Sequence, residues 1–119
     1  MKICVTSQGP EMSDEVDPRF GRARYFVIYD DETEEAESVD NAQNMNAAGG
    51  AGVQAGTTVV EKDCDWVISG HMGPKALSVL SQGDVQVAVG AEGTVEQAIQ
   101  DFKDGKLKSV DEADVAPRW

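Results

Sequence analysis

Short apolar runs alternate with amphipathic segments along this chain of 119 residues. Runs of β-branched and aromatic residues predict five strands, at residues 2–7, 25–29, 34–39, 66–69 and 85–89. Apolar positions at helical spacing predict three helices, at residues 53–62, 75–81 and 95–104. The last begins with a capping box, Thr94 followed by Gln97, and ends at Gly105. The element order is therefore β-β-β-α-β-α-β-α.

This order predicts the topology of a mixed sheet. Strands two and three form a meander beside strand one, and right-handed crossovers place strands four and five on its other side. We expect a five-stranded α/β sheet of order 3-2-1-4-5, with strand two antiparallel and helices on both faces. The loops at residues 7–24, 40–52, 69–75 and 90–94 then meet at one edge, where open α/β sheets bind ligands.

The loop after the fourth strand carries the first group of candidate binding residues. His71, the only histidine, can ligate a metal or donate to an anion, although a lone histidine is often structural. Met72 is either a soft ligand or the apolar cover of a pocket. Lys75 lies in the first helical turn, where it opposes the helix dipole. That position indicates another use, with a solvated lysine as the alternative.

Three arginines in the first loop, Arg19, Arg22 and Arg24, fall within six positions. Arginine forks onto oxyanions, so the group suits an anionic ligand in a chain whose net charge is −12. Pairing of these arginines with neighbouring carboxylates is the alternative, at Asp14, Glu15 and Asp17.

The glycine-rich third loop precedes the first helix and offers backbone amides at a helix N-terminus, which is a ready anion site. Residues 50–55 also match G-x-G-x-x-A, but no strand immediately precedes them and no acidic residue lies about 20 positions on, so a dinucleotide site is not favoured. Tight turning and close packing of the glycines are the alternative. The candidate binding residues of this loop are Asn46, Gly49, Gly50 and Gly52.

Composition narrows the classes of partner. With 22 acidic and 10 basic residues, the chain repels nucleic acids and anionic membranes. No signal-peptide pattern and no long apolar run is present, so we expect a cytoplasmic protein. Two cysteines 60 positions apart form neither a disulfide framework nor a CxxC motif. We expect Cys4 in the core, and Asp63 and Asp65 to raise the pKa of Cys64 and oppose metal binding there.

Four motifs taken together resemble the dinitrogenase iron–molybdenum cofactor biosynthesis family over residues 1–108. They occupy residues 17–23, 49–52, 70–76 and 93–98. The resemblance implies a three-layer α/β/α ribonuclease-H-like fold and a carrier of metal clusters that is not an enzyme. The short, acidic, stand-alone form implies a molybdenum–copper sulfide cluster held without conventional covalent ligation, with iron–molybdenum cofactor or its precursor as the alternative. Residues 109–119 are expected to form a polar C-terminal tail.

The combined prediction is a single domain that carries an anionic metal–sulfide cluster between a donor and a recipient protein. The loops at one sheet edge would hold the cluster without covalent bonds. One alternative is an interaction module that docks through its acidic edge strand, residues 30–40. Another is a small hydrolase or nuclease on the same fold, although strand one lacks the carboxylate that a ribonuclease-H-type metal site needs.

Overall fold

The structure, a computed structural model, describes residues 1–42 and 50–110. No helix within those ranges is long and apolar enough to span a membrane. The elements in chain order are β1 (Lys2–Ser7), β2 (Tyr25–Asp30), β3 (Glu35–Asp40), α1 (Ala51–Glu61), β4 (Trp66–Ile68), α2 (Pro74–Gln82), β5 (Gln86–Val89), α3 (Val95–Lys103) and β6 (Lys108–Val110).

The strands form one mixed sheet of order β3-β2-β1-β4-β5-β6. β1 pairs antiparallel with β2 and parallel with β4, and β5 continues the parallel part beside β4. β3 pairs antiparallel with β2 at the outer edge. The predicted α/β class, the antiparallel second strand and the order of the first five strands are therefore confirmed.

The predicted number of strands is wrong, because a sixth strand pairs antiparallel with β5. β6 has three residues, two exposed and one partly buried, so no apolar alternation marks it in the sequence. It forms because the turn at Gly105, where φ is 73°, returns the chain along the open edge of β5. Ser109 and Val110 thus belong to the sheet, although they fall in the segment predicted as a polar tail. Residues 111–119 lie outside the described residues.

Two apolar clusters cover the two faces of the sheet and give the domain three layers. α1 and α2 pack on one face through side chains such as Val59 and Leu80. α3 packs on the other through Val95, Ala98 and Ile99. Side chains along β1 alternate between the two faces of the sheet, so Cys4 packs in the first cluster and its neighbours Ile3 and Val5 pack in the second. The prediction that Cys4 is a core residue is confirmed.

Helix ends show where local sequence rules hold. The Thr94 hydroxyl accepts a hydrogen bond from the Gln97 amide at 3.1 Å, as expected of an N-cap. The Gln97 side chain donates to Asp101 at 2.8 Å, so the return half of the capping box is not made. α1 begins two residues earlier than predicted, after Gly50 in a left-handed conformation.

Candidate functional site

Loops distant in sequence meet beyond the carboxyl ends of β1 and β4. The backbone amide of His71 donates to the carbonyl of Pro18 at 2.8 Å, and Arg19 forms a parallel bridge with His71. The amide of Gly90 donates to the carbonyl of Gly70 at 3.1 Å. These contacts confirm the predicted convergence of the loops that follow β1, β4 and β5.

Buried hydroxyl groups fix the first loop to the strand ends. The Thr6 hydroxyl donates to the carbonyl of Asp17 at 2.6 Å and lies 3.0 Å from the Ser69 hydroxyl. The amide of Asp17 donates in return to the carbonyl of Thr6 at 3.0 Å. Since Thr6 and Ser69 are fully buried, each of these polar contacts forms away from competing water. They set the position from which Pro18 and Arg19 extend.

A buried amide fixes the other end of the same loop. Asn41 follows β3 and is 1% exposed. Its side chain donates to the carbonyls of Gly21 at 3.3 Å and Ala23 at 2.8 Å. Its backbone amide donates to the carbonyl of Arg24 at 2.9 Å. The first loop is therefore held by β1 and β4 at one end and by the exit of β3 at the other.

Glycines allow backbones to approach closely at this edge. A Cβ atom on Gly21 would lie 2.8 Å from the backbone nitrogen of Gly52, which is in the first turn of α1. A Cβ atom on Gly70 would lie 2.7 Å from the Cα atom of Pro18. Both distances are shorter than real Cβ atoms show to any neighbouring heavy atom, so these positions require glycine unless the backbone moves. Gly52 in turn lies against Ala76 of α2, which places the first turns of the two helices side by side.

Within the part of the chain that the structure describes, both helix N-termini at this edge begin after a glycine that offers no side-chain cap. Gly50 precedes α1 and Gly73 precedes α2, and neither provides a side-chain hydrogen bond. Neither helix carries an acidic residue in its first turn. The partial positive charges of two adjacent helix ends therefore add without a compensating carboxylate of their own.

Cationic side chains surround these two helix ends. His71 and Lys75 are exposed. The Arg19 side chain is 49% exposed, and its Nε lies 3.7 Å from the carboxylate of Asp17, which is itself buried. Residues 17–24, 50–52 and 70–76, which we name the loop edge, contain four Arg or Lys residues and one carboxylate. The loop edge is thus locally cationic in a chain of net charge −12.

Two predicted site residues have other surroundings. Arg24 forms an ion pair with Asp40 and stacks over the Tyr25 ring, with its guanidinium carbon 4.8 Å from the ring centroid. Arg24 therefore follows the alternative prediction of carboxylate pairing, with a different partner. Met72 is fully buried in the core cluster under α1 and α2, so it packs inside the domain rather than lining the surface.

The remaining candidates divide by position. Arg22 is half-buried within the first loop. Gly50 and Gly52 lie at the start of α1, as expected. Asn46 and Gly49 lie outside the described residues.

Three polar residues that position the loops were not predicted from the sequence, namely Thr6, Ser69 and Asn41. Thr6 is the penultimate residue of β1, and Ser69 and Asn41 directly follow β4 and β3. A search for hydroxyl and amide side chains at the ends of predicted strands would have found them.

The cysteines lie away from this edge. The Cys4 thiol and the Lys2 ammonium lower the pKa of Cys64. Asp65 raises the pKa of Cys64 as expected, but its contribution is smaller than that of the Cys4 thiol, so the net pKa of Cys64 is lowered. Within residues 1–42 and 50–110, no group of three His, Cys, Asp or Glu side chains is placed to hold a metal ion.

Comparison with known proteins gives consistent matches. Residues 1–105 match the profile of the family described as dinitrogenase iron-molybdenum cofactor. An uncharacterized protein of Methanocaldococcus jannaschii is 27% identical over 110 residues, covering 91% of this chain and 90% of the relative. The apo form of the orange protein from Desulfovibrio gigas has a TM-score of 0.92 and 37% identity, with 96% of each chain covered. A putative NifB protein from Thermotoga has a TM-score of 0.80 and 33% identity, with 91% of each chain covered.

Proposed function

Because this chain belongs to the dinitrogenase iron-molybdenum cofactor family, we propose that it binds and carries an anionic metal–sulfide cluster at the loop edge. The role is non-catalytic, since the cluster is cargo that a donor protein delivers and a recipient protein removes. A molybdenum–copper sulfide cluster is the first candidate, because the short, acidic, stand-alone form of the chain implies it by resemblance. Iron–molybdenum cofactor or its precursor is the alternative, supported by the family description.

One observation carries this proposal: two uncapped helix N-termini lie side by side among cationic side chains. A metal–sulfide cluster is a polyanion whose terminal sulfides or oxo groups accept hydrogen bonds. The amides at the starts of α1 and α2 can donate to such groups, because neither Gly50 nor Gly73 supplies a side-chain cap. Lys75, which opposes the helix dipole, becomes favourable once an anion occupies the space in front of it.

The proposed roles of the site residues follow from their positions. Arg19, His71 and Lys75 are exposed at the loop edge and supply counter-charge. The amides near Gly50 and Gly52 supply hydrogen bonds to the cluster. The sequence predicts three further contacts to the cluster, which we retain as part of the proposed site: Asn46, Gly49 and Arg22. Met72 supports the wall from within the core rather than touching the cargo.

Reconstitution tests this function directly. The full chain would be incubated anaerobically with tetrathiomolybdate and copper(I), separated from free reagents by gel filtration, and analysed for molybdenum, copper and visible absorption. We expect stoichiometric molybdenum and sulfide-to-molybdenum charge-transfer bands in the protein fraction. The copper content separates the two candidate cargoes. If the folded chain retains neither this cluster nor iron–molybdenum cofactor, the proposed function is wrong.

A further inference from the structure

The helical layer of α1 and α2 is nearly free of charge, in a chain of which 27% of the residues are charged. The 11 residues of α1 include one charged side chain, Glu61, which is the last residue of the helix. The nine residues of α2 include one, Lys75, which lies in its first turn. A helix that faces solvent ordinarily carries charged residues on its outer side, as α3 does with Glu96, Asp101 and Lys103. Depletion of charge over two adjacent helices is typical of the centre of a protein–protein interface.

The outer side of this layer presents valine, threonine and other uncharged side chains. Val53 is 38% exposed, and within the described ranges the only other large apolar side chain this open is Met1. Thr57 is exposed, and its hydroxyl donates to the carbonyl of Val53 at 3.0 Å, so covering this side chain leaves no unpaired donor. We name this surface the uncharged face, and its exposed and half-buried residues are Val53, Thr57, Val60, Ser78, Val79 and Gln82.

The two helices pack closely enough to form one continuous surface. A Cβ atom on Gly56 of α1 would lie 3.1 Å from Val79 Cγ1 of α2, and Gly52 lies against Ala76. From the rise and diameter of an α-helix, α1 is about 16 Å long and two adjacent helices are about 20 Å wide, so the uncharged face covers about 300 Å². A stable dimer buries about 800 Å² on each partner. Pairing through this face alone is therefore weak and reversible.

The distribution of charge favours a second copy of this chain as the partner. Two copies, each of net charge −12, repel one another through surfaces that carry carboxylates, such as the edge strand region at residues 30–40. A basic foreign protein would be attracted to those same surfaces, and the uncharged face offers it no such attraction. Two identical chains, in contrast, can meet at the uncharged face without opposing like charges.

We propose that two copies of this chain pair through the uncharged face in a weak, two-fold symmetric dimer whose helices run antiparallel. α1 and α2 both begin at the loop edge, so Lys75 lies at that end of the layer and Glu61 at the other. An antiparallel arrangement brings the Lys75 end of one copy to the Glu61 end of the other, and it also sets the helix dipoles in opposite directions. The two loop edges lie at opposite ends of the dimer. Pairing therefore needs no bound cargo and is independent of the proposed function.

Sedimentation equilibrium of the cluster-free full chain, from low micromolar to millimolar concentration, tests this pairing. We expect a monomer at the low end and a monomer–dimer equilibrium at the high end. Raising the NaCl concentration should strengthen the association, because salt screens the repulsion between two acidic copies. A dilution series of the ¹⁵N-labelled chain should show concentration-dependent amide shifts in α1 and α2 and none in β3.

A matched pair of substitutions locates the contact. Ser78→Glu adds one carboxylate per copy within the uncharged face and should weaken dimerisation at least about tenfold. Ser38→Glu makes the same change at an exposed position of β3 and should weaken it less than about twofold. A chain that stays monomeric at millimolar concentration would overturn the proposal and leave this face to a foreign partner. Equal losses in the two variants, or association that weakens with salt, would overturn it as well, because the copies would then meet through charged surfaces.

Discussion

The loop edge and the acidic edge lie on one sheet but are built in opposite ways. The acidic edge, residues 30–40, contains seven carboxylates and no Lys or Arg, and five of the six residues of β3 are exposed. These carboxylates are exposed to solvent and form no shaped site. Their negative charge protects the open edge strand β3 from pairing with other chains. The loop edge contains fewer charges, but buried hydroxyls, a buried amide and close glycine contacts hold their backbone in place. Placement of charge, rather than its amount, marks a binding site.

Charge reversal at the loop edge should have the largest effect on cargo binding. The double variant Arg19→Glu/Lys75→Glu should weaken binding of the reconstituted cluster by about a hundredfold, because it sets two carboxylates against a polyanion. Equilibrium titration followed by visible absorption measures the loss. The matched control Lys103→Glu/Lys106→Glu makes the same change in net charge at the opposite end of α3. Equal losses in both variants would show that only net charge matters and would contradict a site at the loop edge.

Gly70→Ala should have the next largest effect, on stability. Its Cβ would lie 2.7 Å from the Pro18 Cα atom, so the first loop must move away from the strand ends. We expect a loss of about 1–3 kcal/mol in the free energy of unfolding, measured by urea denaturation. The control Gly105→Asn changes a position with open space around it and a positive φ that asparagine tolerates. It should change stability by less than about 0.5 kcal/mol, and a similar loss in both variants would argue against close packing as the cause.

Asn41→Ala should have a smaller effect on stability and a selective one on the loop edge. It removes the side-chain donor for the carbonyls of Gly21 and Ala23, which costs about 1–2 kcal/mol. Hydrogen exchange should show lost protection in residues 17–24 and unchanged protection in β4 and β5. Uniform loss of protection across the sheet would show that Asn41 supports the whole fold rather than this loop.

The pH response of the acidic edge should be the smallest effect. The Ala42 amide and the Arg24 guanidinium hold the pKa of Asp40 below its ordinary value. A lowered carboxyl pKa stabilises the folded state above the unfolded value of about 3.9, and the contribution disappears as pH falls through the lowered pKa. Asp40→Asn should therefore flatten the acid limb of the stability profile slightly. Glu35→Gln on the same strand leaves the Arg24–Asp40 contact in place and should not flatten the acid limb in this way. An acid limb unchanged by Asp40→Asn would contradict this assignment.

Sequence patterns predicted the elements that carry apolar periodicity and missed those that depend on tertiary partners. β1 was predicted with its observed bounds, because its apolar centre, residues 3–5, is typical of a buried central strand. β6 was missed because its three residues are polar and it forms only against the edge of β5. The meeting of the loops followed from strand order alone. The inward position of Met72 did not, because the pattern Gly-His-Met-Gly has no period that shows which side chain turns into the core.

The cysteines show the same limit. Sequence separation suggested two unrelated thiols, but the turn after α1 returns Cys64 to the face of β1 that carries Cys4. The effect of Asp65 on Cys64 was predictable from adjacency, whereas the stronger effect of Cys4 required the fold. A pKa shift predicted from sequence neighbours alone is wrong wherever a stronger, buried partner comes from another element of the fold.

Chemical-shift mapping of the ¹⁵N-labelled full chain during titration with tetrathiomolybdate and copper(I) locates the cargo most directly. We predict saturable shifts in the amides of Arg19, Gly50, Gly52 and His71, with β3 unaffected. The double variant Cys4→Ala/Cys64→Ala should give the same map, because the thiols take no part in holding the cluster. Shifts concentrated around Cys4, Cys64 and β3, or no saturable shifts at the loop edge of the folded protein, would contradict a cluster site built from two helix ends and their cationic neighbours.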